Sequence, residues 1–393
     1  MVIIIKSLHY GLSRLHLTLK RGLMRWLGGL LRQRLVIQPA HWPEKVSGTL
    51  VMIDLCLGLG DILMISPAIR LLQDYGAVEV VTRWPRLLDA DLAWQIARSW
   101  REQRERVAQW AAAGGIVLVP FTGLRGLIAL LTWPGRLPPG MIVLDAETWL
   151  DTVSATLGRV EGSHYSDPPL AAAQALVQRL TGCDVPAGPV SRLPPLRIEP
   201  VTTVVIPSDP FVVLAPWASA ATRRWPLSHW ARLIDHLAGE RPDLPLILMG
   251  SLAEQVHAET LLIQARRGHA VINWMGRLTL AETATLIARA RLLLCCDSGP
   301  MHIGLGLDTP VVAIFGSTDP AARLYGHNAI AIADTTLCPH RLAPCYAGFQ
   351  REPVCPTRIE CLTGLSPERV ATLVLQQLAI APGNSECLVS SAY

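Results

Sequence analysis

Four polar clusters follow apolar runs in this 393-residue chain, and each holds residue types that can do chemistry. The first, Cys56-Leu57-Gly58-Leu59-Gly60-Asp61, presents one carboxylate at the start of a helix. Asp61 suits two roles there, a helix cap or a general base. Gly58 and Gly60 suggest a dinucleotide fingerprint, but its third glycine would fall at Leu63, so the pattern is broken. In the second cluster, small residues lead from Pro216 through Thr222 to the cation Arg223, an arrangement suited to a pyrophosphate. The third is Asp297-Ser298-Gly299-Pro300, with His302 just inside the following helix. Gly299 lets a ligand approach the backbone, and a helix start offers N–H groups to phosphate. The fourth is Gly316-Ser317-Thr318-Asp319-Pro320.

The elements that must position these clusters read as alternating strands and helices. In the first half, strands are predicted at 49–55, Val78–Thr82, Ile116–Phe121 and Met141–Leu144. Helices are predicted at Ile62–Tyr75, over most of Leu87–Ala111, and at Gly123–Trp133, Trp149–Leu157 and Leu170–Thr181. Seven prolines between Val185 and Pro210 mark a boundary. Beyond it, strands at Phe211–Ala215, Leu244–Gly250, Val271–Trp274, Leu292–Cys296 and Val311–Phe315 alternate with helices. Pro226 is expected at the first position of one of these helices and Glu254 at the start of another, with further helices at Ala281–Ala290 and Ser366–Leu378. This alternation predicts an α/β protein with two Rossmann-like domains, at 46–200 and 201–380. A basic extension (1–45) precedes them and a tail (381–393) follows.

Residues 297–320 resemble the signature of the ADP-heptose:lipopolysaccharide heptosyltransferases, glycosyltransferase family 9. Leu59-Gly60-Asp61-Ile62-Leu63 with Pro67, Arg223-Arg224-Trp225-Pro226, and Gly276-Arg277-Leu278-Thr279-Leu280 fit the same family in the same order. Two departures are visible: Leu307-Asp308 precede Thr309-Pro310 where a glycine is usual, and Arg223 replaces a usual lysine. The resemblance implies the GT-B fold, two domains facing a cleft, and inverting transfer of heptose from ADP-heptose to a lipid-linked core oligosaccharide. It implies Asp61 as catalytic base reaching across the cleft, beside Gly60, and Arg223 with Thr222 at the leaving diphosphate. It also implies Glu254 at a ribose hydroxyl and the backbone of Arg277 and Leu278 against the adenine. Asp297, Ser298, Gly299, His302, Ser317, Thr318 and Asp319 would orient donor phosphate and sugar. No cofactor and no metal are expected. In related enzymes the Gly123–Trp133 region faces the acceptor, but its usual Asp and Gly are not recognisable here. Two rivals stand beside this reading: a transferase using another nucleotide-sugar for a surface polysaccharide, and a non-catalytic assembly factor that binds nucleotide or lipopolysaccharide.

Composition bounds the remaining possibilities. Half the residues are hydrophobic and 17% charged, which excludes a disordered chain, and a net charge of +4 gives no reason to expect nucleic acid. No acidic residue precedes Glu44. Within 6–34, Leu8, Leu12, Leu15, Leu19, Leu23, Trp26 and Leu30 share one helical face opposite Arg14, Lys20, Arg21, Arg25 and Arg32. Such a helix suits a membrane surface, or packing on its own domain or another subunit. With no 18-residue apolar run and no signal peptide, a cytoplasmic enzyme, peripheral on the inner membrane, is expected. Asp89-Ala90-Asp91 spells a metal motif, but no buried strand leads into it, so it reads as a solvated helix start. Cys295 and Cys296 belong to a buried strand. Cys338, Cys345, Cys355 and Cys361 lack a close zinc pair and read chiefly as reduced packing thiols, with zinc or a disulfide as alternatives.

Overall fold

The apolar runs form two parallel sheets. The computed structural model describes residues 50–53, 58–84, 93–96, 99–113, 115–119, 141–143, 167–182, 200–324, 328–338 and 359–379, with single positions at 132, 196, 198 and 355. The chain divides into units Met1–Pro194 and Pro195–Tyr393, at a point inside the proline-rich stretch. Several expected features lie outside the described residues. They are the segment 6–34, Asp89-Ala90-Asp91, nearly all of Gly123–Trp133, Trp149–Leu157, Cys345 and the tail 381–393.

In the first unit, β1 (Leu50–Ile53), α1 (Leu59–Gln73), β2 (Val78–Thr82), β3 (Ala93–Ile96), α2 (Trp100–Ala112), β4 (Val117–Val119), β5 (Met141–Val143) and α3 (Asp167–Thr181) follow in order. The sheet order is β3-β2-β1-β4-β5, with all neighbours parallel. Strand order therefore reverses beside β1, the switch point at which open α/β sheets bind ligands. α1 begins shortly after that edge and buries Ile62, Leu63, Met64, Ile65, Ala68, Ile69 and Leu72. Pro67 interrupts this helix and cannot donate to Leu63; the Ser66 hydroxyl donates to the Leu63 carbonyl instead, at 2.6 Å. Leu87–Ala111 departs from the predicted helix. Ala93–Ile96 pairs with Glu79–Thr82 as an edge strand, and helix begins only at Trp100. The vacant edge of β2 outweighs local helical preference over those four residues.

The second unit runs β6 (Val212–Ala215), α4 (Leu227–Glu240), β7 (Leu246–Leu248), α5 (Gln255–Gln264), β8 (Val271–Asn273), α6 (Leu280–Arg289), β9 (Leu292–Cys296), α7 (Gly299–Gly306), β10 (Val311–Ile314), β11 (Ala329–Ile332), α8 (Glu360–Thr363) and α9 (Pro367–Ala379). Its order, β8-β7-β6-β9-β10-β11, repeats the doubly wound pattern with one further strand. The switch point falls between β6 and β9, paired from Val212 opposite Leu292 to Ala215 opposite Cys295. Every residue of β6, β9 and β10 is buried, which is why these strands read as unbroken apolar runs. β11 was not foreseen, because a short, partly exposed edge strand leaves little pattern. Pro226 caps α4 rather than occupying its first turn. Trp225 is buried against Trp230, with its indole N–H on the Leu365 carbonyl at 3.1 Å, a structural role.

Glu282 fastens the entry to this unit. It closes a reciprocal capping box with Thr279 (2.9 and 3.2 Å), and its other oxygen accepts from the N–H and hydroxyl groups of Thr202 and Thr203. The N–H groups of Thr279 and Thr202, more than any other influence, hold its pKa down to about 2. A depressed carboxylate stabilises the fold above its ordinary range and loses that contribution as pH falls through the folded value. Glu282→Gln is expected to cost roughly 1–3 kcal/mol at pH 7. That cost should shrink as pH falls from 4.5 towards 2, as urea unfolding at each pH would measure.

Candidate functional site

β6 and β9 are neighbours and β10 lies beside β9, so the polar loops leaving their C-terminal ends meet at one edge of the sheet. At its centre is Asp297, 1% exposed. Thr318 Oγ1 donates to Asp297 Oδ2 at 2.6 Å, and Arg223 Nη1 lies 3.4 Å from the same oxygen. Nη1 also reaches the Asp297 carbonyl at 3.1 Å, and Nη2 donates to Ser219 Oγ at 2.8 Å. Burial pushes the Asp297 pKa up. Attraction to Arg323 and Arg223, the Thr318 hydrogen bond and nearby His302 together outweigh it, so the carboxyl sits below its ordinary value. The third side of the cluster joins Ser317 to Thr222: their hydroxyls lie 3.0 Å apart and Ser317 N–H meets the Thr222 carbonyl at 3.3 Å. Each of the three loops is thus bonded to the other two.

Around this cluster, Ser298 precedes α7 in extended conformation with its hydroxyl on the Cys296 carbonyl, 3.2 Å away, so no side chain caps the helix. Gly299 is the first residue of α7, and His302 is buried on its next turn. The Asp319 carboxylate accepts from Ala321 N–H at 3.0 Å. Arg224 turns outward and binds the Ala218 and Ser219 carbonyls, holding the loop that carries Arg223.

Further along the same sheet edge lie the residues predicted for the nucleoside. Gly276 has φ +67°, a left-handed conformation suited to glycine, and its N–H meets the Gly250 carbonyl at 3.0 Å. This turn presents Arg277, exposed, and Leu278, half-buried. Glu254 Oε2 accepts from the N–H (2.8 Å) and hydroxyl (2.7 Å) of Ser251, so one of its oxygens serves as a helix cap. In the first unit, Asp61 is the third residue of α1, after Leu59 and Gly60; its Oδ2 accepts from Gly58 N–H at 2.8 Å.

The structure adds Ser219 and Arg323 to the predicted set. Arg323 is buried, and the signal for it was available: it is the sole Lys or Arg between Asp297 and Gly326. Ser219 carried no signal beyond standing four residues before Arg223. The thiols of Cys295 and Cys296 are fully buried; burial above all pushes Cys295 up and Cys296 to about 12, so both are unreactive core groups. Cys338, Cys355 and Cys361 are free thiols. Among the described residues no group of His, Cys, Asp and Glu is arranged to hold a metal ion.

Two doubly wound parallel sheets, with polar residues at the switch points, define an α/β protein with the GT-B fold. The same fold occurs in the E. coli ADP-heptose lps heptosyltransferase II (TM-score 0.57, 18% identity, 84% of this chain and 98% of that one). It also occurs in a family 9 glycosyl transferase from Veillonella parvula (TM-score 0.57, 17% identity, 86% and 99%). Residues 195–345, in the second unit, match the family model described as glycosyltransferase family 9 (heptosyltransferase). The chain is 29% identical over 192 residues to lipopolysaccharide heptosyltransferase 1 of Pseudomonas aeruginosa, a match spanning 45% of this chain and half the length of that relative. To lipopolysaccharide heptosyltransferase 2 of Salmonella typhimurium it is 23% identical over 313 residues, 75% of this chain and 81% of the relative.

The lacing leaves no room at Gly316, where a Cβ would lie 2.5 Å from the Thr222 carbonyl and 2.7 Å from Leu362. Gly316→Ala is expected to destabilise the second unit by about 1–3 kcal/mol, read by denaturant unfolding.

Proposed function

We propose that this protein is an inverting glycosyltransferase that moves heptose from ADP-heptose to a lipopolysaccharide inner-core acceptor. The observation that carries the reading is the meeting, at the switch point of the second sheet, of the Arg223 guanidinium with the uncapped start of α7. Both favour negative charge, and they adjoin loops that can enclose a sugar diphosphate. The similarity to lipopolysaccharide heptosyltransferases supports transfer of heptose to lipopolysaccharide.

In this reading the acceptor oxygen bonds to the anomeric carbon while its proton passes to the Asp61 carboxylate. The bond from that carbon to the diphosphate breaks, and its electron pair leaves with ADP. Arg223 and the N–H groups at Gly299 offset the charge that builds there. No metal takes part. Ser298 and His302 line the sugar-diphosphate side, and the turn at Arg277–Leu278, with Glu254, meets the nucleoside. The basic segment 6–34 holds the enzyme, on the cytoplasmic side, against the membrane that carries its acceptor.

Mass spectrometry of a heptose-deficient core incubated with ADP-heptose and purified protein tests this directly. Transfer is expected, with kcat lowered roughly 10²–10⁴-fold by Asp61→Ala and unchanged by a chelator. Bound ADP-heptose without transfer would remove the acceptor assignment; failure to bind any ADP-sugar would remove the donor. A variant lacking residues 1–45 should no longer co-sediment with anionic liposomes, and persistence of binding would refute the membrane role.

A further inference from the structure

We infer that Asp297 and Thr318 are positioning residues: they lock the Arg223 guanidinium in place before the donor arrives, rather than contacting the donor themselves. The inference rests on the proposed function only for what the guanidinium meets. Asp297 is 1% exposed, and one of its oxygens, Oδ2, is shared by Thr318 Oγ1 (2.6 Å) and Arg223 Nη1 (3.4 Å). Nη1 also donates to the Asp297 carbonyl at 3.1 Å, while Nη2 is held by Ser219 at 2.8 Å. Both terminal nitrogens are therefore tied, to groups on two different loops. Thr318 completes the device from a third loop, and it too is buried, at 3%.

A lysine would present one ammonium and could not hold these partners in a planar fork. An arginine at a position where the resembling family usually has lysine thus has a physical use here. Its fork binds protein groups that fix its direction, and the charge is ready-placed for the leaving group. A guanidinium ordered in advance spends none of the donor's binding energy on being ordered.

Two measurements on the full chain test this. In ligand-free protein labelled with ¹⁵N-arginine, the Nη groups of Arg223, assigned by their loss in Arg223→Lys, are expected to rotate slowly. Asp297→Asn and Thr318→Val should free them; Thr318→Val retains the carboxylate and serves if Asp297→Asn fails to fold. Free rotation in the wild type would overturn the inference. The second measurement is a double-mutant cycle in kcat/KM for transfer. Asp297→Asn should cost about 10²-fold, as misplacement of a catalytic group does, yet add less than about threefold in an Arg223→Ala background, since it acts through Arg223. Costs that multiply would mean direct donor contact and overturn the inference. If the wild type transfers nothing, the proposed function falls and the ligand-free measurement alone decides.

Discussion

The second unit is organised around a carboxylate that has lost its water. An ionised group as buried as Asp297 costs several kcal/mol in desolvation unless charge and hydrogen bonds are returned to it. Arg223, Thr318, Arg323 and His302 return them, and their combined effect leaves the carboxyl below its ordinary pKa despite burial. These partners come from the loops after β6 and β10 and from α7, the helix that follows Asp297 itself. Moving any one loop away would strand a buried charge. Electrostatics thus holds the site's geometry more firmly than hydroxyl-to-hydroxyl contacts could.

The polar residues at the strand ends divide into two kinds. Asp61, Glu254 and Asp319 bond to backbone two or three residues away and finish the turn or helix on which they sit. Arg223, Thr222, Ser317 and Thr318 bond across 74, 95, 95 and 21 residues and hold loops to one another. The first kind makes a helix start rigid wherever it lies; the second makes one edge of the sheet a single surface. Asp61 belongs to the first kind, and the capping bond fixes the direction of the carboxylate that is proposed to act as base.

Close approach is the other means by which the edge is kept together. Gly316 lets the Thr222 carbonyl come near, and Gly250 lies where a Cβ would meet Met275 at 2.6 Å and Trp217 at 2.8 Å. Trp217 in turn lies beside His257, with ring centroids 5.6 Å apart. Loops around both glycines pack at distances that side chains would forbid, and each glycine stands at the end of a strand.

Much of this was legible locally. β6, β9 and β10 read as unbroken apolar runs because a parallel sheet covered on both faces excludes polar residues throughout. The clusters after them, with Arg223, Asp297 and Gly299 among them, follow from where such strands end. Local pattern left open whether Asp61 caps or catalyses; the capping bond is present, and a base role is compatible with it. What depended on pairing between distant segments was not readable. Ala93–Ile96 became strand because β2 offered an edge, and β11 because β10 did. The resemblance implied Thr318 and Asp297 as groups that orient the donor but not the hydrogen bond between them, and Ser219 and Arg323 join them only in three dimensions. Local sequence determined the inner strands, the turns after them and the chemical types at their ends. The tertiary structure decided which of those groups bond to each other, because a hydrogen bond reports distance in space, and no pattern along the chain encodes a separation of 74 residues.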